Sequence, residues 1–83
     1  MTASHTVNVV LDDTLLTLNR AVGVLRRRNV AVTQFAVRAG RMTFVLNTDA
    51  ATADRVVQQF HKIVGVHAVE ITTTQDPIAE EQP

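Results

Sequence analysis

The stretch Leu15-Leu16-Thr17-Leu18-Asn19-Arg20-Ala21-Val22-Gly23-Val24-Leu25 carries an apolar stripe, Leu15, Leu18, Val22 and Leu25. The same steps return thirty-eight positions later as Ala53, Val56, Phe60 and Ile63. Spacings of three, four and three residues place four side chains on one face of a helix. Around the two stripes lie the extended-looking runs Val7 to Leu11, Val30 to Val37, Met42 to Leu46 and Val66 to Ile71. The predicted order is therefore strand, helix, strand, strand, helix, strand: one unit used twice.

Local signals set the boundaries. Thr6 to Leu11 alternates, with Val7, Val9 and Leu11 on one side and Thr6, Asn8 and Val10 on the other. Asp12, Asp13 and Thr14 stop that strand, and Asp13 or Thr14 is positioned to cap the first helix. That helix is expected to reach Arg28, with Arg26, Arg27 and Arg28 beside its negative end and Asn29 as a left-handed stop. In the second strand, to about Arg38, Val32 and Phe35 are three apart, so a bulge near Thr33 and Gln34 is needed to put both on one face. Ala39, Gly40 and Arg41 turn the chain into Met42 to Asn47. Thr48 or Asp49 caps the second helix, which is predicted to end at Val64 before Gly65.

Two strand-helix-strand units with right-handed crossovers make an α+β, ferredoxin-like βαββαβ sandwich: a four-stranded antiparallel sheet with both helices on one face. The domain is expected over residues 5–74, and residues 75–83, with two prolines and no apolar period, read as a flexible acidic tail. The other sheet face stays bare, with Thr6, Asn8, Val10, Thr43 and Val45 on it. A small domain with an open face and exposed edge strands gains by pairing with another chain.

Composition removes several classes of function. Of the 83 residues, 46% are hydrophobic and the formal net charge is zero, unlike a disordered polyelectrolyte or a general nucleic-acid binder. Eight Lys and Arg face five acids up to Gln75; Asp76, Glu80 and Glu81 follow in the tail. With no cysteine there are no disulfides, thiolate metal sites or cysteine nucleophiles, which fits a reducing cytoplasm. Apolar runs are far shorter than a bilayer span, so no membrane partner is expected.

No catalytic residue stands out, because there is no glycine-rich phosphate loop and no nucleophile elbow. His5, His61 and His67 lack metal-ligand spacing, have no acids clustered with them, and read as surface histidines; no metal is expected. Gly40-Arg41-Met42-Thr43-Phe44-Val45 echoes an RNA-binding strand. Phe44, however, shares a face with Met42 and Leu46, and the chain has neither Tyr nor Trp for base stacking. Phe44 reads as core, and no nucleic-acid partner is expected.

Three segments carry a family resemblance: Leu18 to Leu25, Arg27-Arg28-Asn29-Val30-Ala31-Val32, and Gln59-Phe60-His61-Lys62-Ile63-Val64-Gly65-Val66-His67-Ala68-Val69. Together, over about residues 5 to 72, they resemble the ACT domain of acetolactate synthase small subunits. The resemblance implies a non-catalytic regulatory or activating subunit of compact, ACT-only type, without a cofactor of its own. It would dimerise and associate with a thiamine-diphosphate-dependent large subunit that begins branched-chain amino-acid synthesis.

In that family a feedback amino acid binds at the dimer interface, between the loop after the first strand and the start of the second strand of the other chain. The matching residues here are Asp12, Asp13, Thr14, Leu15, Leu16 and Thr17, with Asn29, Val30, Ala31 and Val32. Leu16 stands where the family has a glycine that lets the ligand approach the backbone, and Ala31 replaces its ligand-contacting asparagine. Weak or absent binding of a branched-chain amino acid is the expectation. The alternative is a free-standing amino-acid sensor that takes a different small ligand at a homodimer interface.

Overall fold

A computed structural model describes residues 2–74; the expected tail lies outside them. Six elements follow in the anticipated order: β1 (Ala3–Leu11), α1 (Leu15–Arg28), β2 (Ala31–Arg38), β3 (Arg41–Thr48), α2 (Ala50–His61) and β4 (Val66–Thr74). The sheet is antiparallel throughout, in the order β2-β3-β1-β4. This is the ferredoxin-like arrangement, with β2 and β4 as its edges.

The core lies between the sheet and the helices. Val7, Val9 and Leu11 of β1, Met42, Phe44 and Leu46 of β3, and Ala53, Val56 and Phe60 of α2 are all buried. Phe44 and Phe60 meet with ring centroids 5.3 Å apart and planes tilted by 36°. Phe44 is thus a core residue, as its alternation with Met42 and Leu46 requires. Among the described residues no element covers the opposite sheet face, and on it the Thr43 hydroxyl donates to Asn8 Oδ1 at 2.9 Å. The β2 bulge falls between Val32 and Gln34, which lets Val32 pair with Leu46 and Phe35 with Phe44 on one face.

Four expectations need correction. Leu15, expected in the core stripe, is 84% exposed, and Val22 is only half-buried. The buried residues of α1 are instead Thr17, Ala21, Gly23, Val24 and Leu25, a set rotated toward a polar starting residue. Burial of Thr17 is tolerable because its hydroxyl accepts from that of Thr14 at 3.0 Å. The second correction is the end of α2. It stops at His61, and the Lys62 and Ile63 amides then bond to the Gln59 and Phe60 carbonyls, both at 3.1 Å, in a tightened last turn.

The third correction concerns His5. It is buried, with Nε2 3.0 Å from the Thr48 carbonyl and Nδ1 2.9 Å from Thr73 Oγ1. A carbonyl only accepts, so Nε2 carries a proton, and the Thr73 hydroxyl can donate to Nδ1. His5 thereby ties β1 to both of its neighbours. The fourth is His67, which is exposed as expected but not free of acids: its Nε2 lies 2.7 Å from Asp12 Oδ1.

Each helix start has a defined cap. Thr14 Oγ1 accepts from the Thr17 amide at 3.2 Å, and Asp49 Oδ1 from the Thr52 amide at 2.7 Å. Hydrogen bonding by Thr52 holds the Asp49 carboxyl below its ordinary range. The depressed folded value means that the charged cap stabilises above the unfolded-state pKa of about 3.9, and this is lost as the pH falls through the folded value. Chemical denaturation is expected to show an acid-side loss that shrinks in Asp49→Asn, which caps without titrating; an unchanged slope would contradict it.

Candidate functional site

The two segments marked out by sequence occupy opposite ends of the domain. Residues 12–17 join β1 to α1, whereas residues 29–32 lie beyond the far end of that 14-residue helix, about 20 Å away at 1.5 Å rise per residue. One chain therefore does not bring them together.

At the first end, the Asp12 amide donates to the Gly65 carbonyl at 2.7 Å and its carboxylate holds His67. Gly65 has a φ of +102°, and a Cβ there would lie 2.6 Å from Thr17 Oγ1 and 3.3 Å from Asp12 Oδ2. A glycine is required by both backbone and space. The turn between β2 and β3 closes on the same end: the Leu11 amide donates to the Gly40 carbonyl at 3.0 Å. Thr14 caps, Asp13 is exposed without a capping role, and Leu15 and Leu16 project outward at 84% and 59% exposure. Sequence reasoning missed Gly65 and His67 as parts of this loop cluster. Only the three-dimensional meeting of the β1–α1 and α2–β4 junctions reveals them.

At the second end, Asn29 is in the left-handed conformation (φ 52°, ψ 41°) and its amide donates to the Arg26 carbonyl at 3.3 Å, closing α1. Val30 and Val32 are half-buried against the core, and Ala31 is exposed. Beside them runs an open groove of about 410 Å³ between α1 and β2, lined by Val22, Leu25, Val30, Val32 and Phe35 together with Arg26 and Asn29. Phe35 is 47% and Val37 38% exposed, although both pair with buried residues of β3 on the helix side of the sheet. This edge carries apolar area that α1 does not cover.

Among the described residues no group of three or more His, Cys, Asp or Glu could hold a metal ion. No described helix is long and apolar enough to cross a membrane.

Comparison with known proteins places this geometry. No family model matches the chain. In sequence it is 32% identical to acetolactate synthase small subunit 1, chloroplastic, of Nicotiana plumbaginifolia, over 95% of this chain and 19% of that protein. It is 30% identical to the acetolactate synthase small subunit of Mycobacterium leprae, over 76% of this chain and 41% of that protein. The chain thus spans well under half the length of either relative. In structure it is similar to the ACT domain of GTP pyrophosphokinase from Chlorobium tepidum, with a TM-score of 0.74 and 17% identity over 87% of this chain and all of that one. The fold is that of ACT domains, and the sequence resembles acetolactate synthase small subunits over most of its length.

Proposed function

We propose that the chain is a non-catalytic regulatory or activating small subunit of acetolactate synthase, acting through protein contact in branched-chain amino-acid synthesis. The supporting observation is the similarity to two such small subunits across most of the folded domain, carried on an ACT-type fold. On this reading the reaction belongs to a catalytic large subunit.

The unit that acts is a homodimer formed along β2. That strand is a sheet edge, and its helix-side face leaves Phe35, Val37 and the neighbouring apolar groove uncovered. Antiparallel pairing of two β2 strands about a two-fold axis sets the start of one against the end of the other. The end of β2 leads into the turn that bonds Leu11, next to Asp12. Residues 29–32 of one protomer then approach residues 12–17 of its partner, joining the segments that one chain holds apart. Sedimentation is expected to show a dimer that Phe35→Glu converts to monomer; only monomer at high concentration for the unaltered protein would contradict the interface.

Ligand binding at that junction is weak or absent. Leu16, in the first turn of α1 and 59% exposed, adds bulk where a glycine would let a carboxylate reach the backbone, and Ala31 has no side-chain amide to offer an amino acid. Calorimetry with valine, leucine and isoleucine is expected to give no heat with the unaltered protein. Leu16→Gly with Ala31→Asn is expected to create binding in the micromolar to millimolar range, on the order of 4–8 kcal/mol. Strong heat from the unaltered protein with another amino acid would favour the free-standing sensor instead.

A further inference from the structure

We propose that the groove between α1 and α2, on the flank of α1 opposite β2, is a docking site for an acidic, amphipathic segment of a partner protein. The groove measures about 550 Å³, and its cations are Arg20, Arg26 and Arg27 from α1 and Lys62 after α2. α1 carries four arginines and no acid. Among the described residues the sole ion pair is His67 with Asp12, so none of these four cations is paired within the domain. Arg26 and Arg27 suit the negative end of α1, but Arg20 sits in mid-helix and Lys62 comes from another element. Helix capping does not account for the four together.

The floor is apolar. Val24 is buried beneath it, Ile63 is half-buried, and Val64 is 77% exposed at its rim. Cations around an apolar floor fit a segment that presents carboxylates and hydrophobic side chains together, whereas a phosphate backbone would leave the floor unused. Gly23 adds a second observation. Glycine is the poorest helix former after proline, and a Cβ at this position would meet nothing within 4 Å. No packing requirement of the domain explains a glycine here, and its missing side chain keeps the groove open. Of the groove's lining only Arg26 also borders the groove beside β2, so Arg20, Arg27 and Lys62 stay accessible in the dimer proposed above, and the site stands if that dimer does not.

The test uses the full chain and a fluorescent synthetic peptide of about 15 residues, with Glu and Leu segregated at helical spacing, read by anisotropy at low salt. Binding is expected, and Arg20→Glu with Lys62→Glu is expected to weaken it about tenfold or more without altering circular dichroism. Gly23→Ala is expected to raise the melting temperature, and Gly23→Leu, which fills the groove, to lower affinity by about tenfold. Four results would overturn the proposal: no binding of the segregated peptide; equal binding of a peptide with the same Glu and Leu scrambled; tighter binding of single-stranded RNA lost in the same charge-reversed variant; or tighter binding of a peptide matching residues 75–83, which would assign the groove to the chain's own tail.

Discussion

Phe60→Ala is expected to destabilise the domain by about 3–5 kcal/mol, enough to leave a large fraction of the protein unfolded at room temperature. Phe60 is fully buried, lies on the only stripe of α2 that faces the sheet, and packs on Phe44 at 5.3 Å between centroids. Truncation removes a ring from the layer where α2 meets β3. Val56, Ala53 and Leu46, smaller members of the same buried cluster, are too short to fill the space. Urea denaturation followed by far-ultraviolet circular dichroism is the measurement, because the chain has neither Trp nor Tyr to report by intrinsic fluorescence. Protein concentration must be held constant, since dimer formation would add to stability. A loss below about 1 kcal/mol would mean that the Phe44–Phe60 contact is not central to the core.

Gly65→Ala is the second large effect, expected at about 2–4 kcal/mol from two causes that act together. The backbone at φ +102° is outside the range that alanine tolerates, and the new Cβ would stand 2.6 Å from Thr17 Oγ1 and 3.0 Å from Thr17 Cγ2. Thr17 cannot easily retreat, because it is buried and its hydroxyl and amide are both bonded to Thr14 Oγ1. Thr17→Ala removes the two nearest of the three contacting atoms and leaves Asp12 Oδ2 at 3.3 Å, so in a double-mutant cycle it is expected to recover most of the steric part of the loss and leave the backbone part. Simple additivity of the two substitutions would show that the strain is conformational alone. The consequence for function is local: the β1–α1 loop, where a ligand or partner would approach, is held in place by the glycine before β4.

Much of this fold was legible because apolar period and punctuation agreed. Ala53, Val56 and Phe60 are buried as their spacing demands, Asn29 adopts the left-handed conformation expected of a helix end, Gly65 has the positive φ expected of it although α2 already stops at His61, and the three-residue step from Val32 to Phe35 marks a real bulge. Apolar period fails as a guide where a polar side chain finds partners. Thr17 took the core position assigned to Leu15 because Thr14 satisfies its hydroxyl. His5 was placed on the surface, although it continues the inward alternation of Val7, Val9 and Leu11 by one step. Its burial depends on the Thr48 carbonyl and Thr73, which arrive from distant parts of the chain.

The candidate site was legible only as two segments. Their separation follows from the length of α1, and the contacts of Asp12 with Gly65 and His67 join residues more than fifty positions apart, beyond the reach of any local pattern. The uncovered apolar edge at Phe35 and Val37 was likewise invisible, because alternation showed which face they point to but not how far α1 extends over it.

The activating role is tested by mixing the purified full chain with the catalytic acetolactate synthase subunit of the same organism. A stable complex at micromolar concentrations and a rise in acetolactate formation on mixing are expected, with little response to added valine. No association and no change in the catalytic subunit's rate would contradict it.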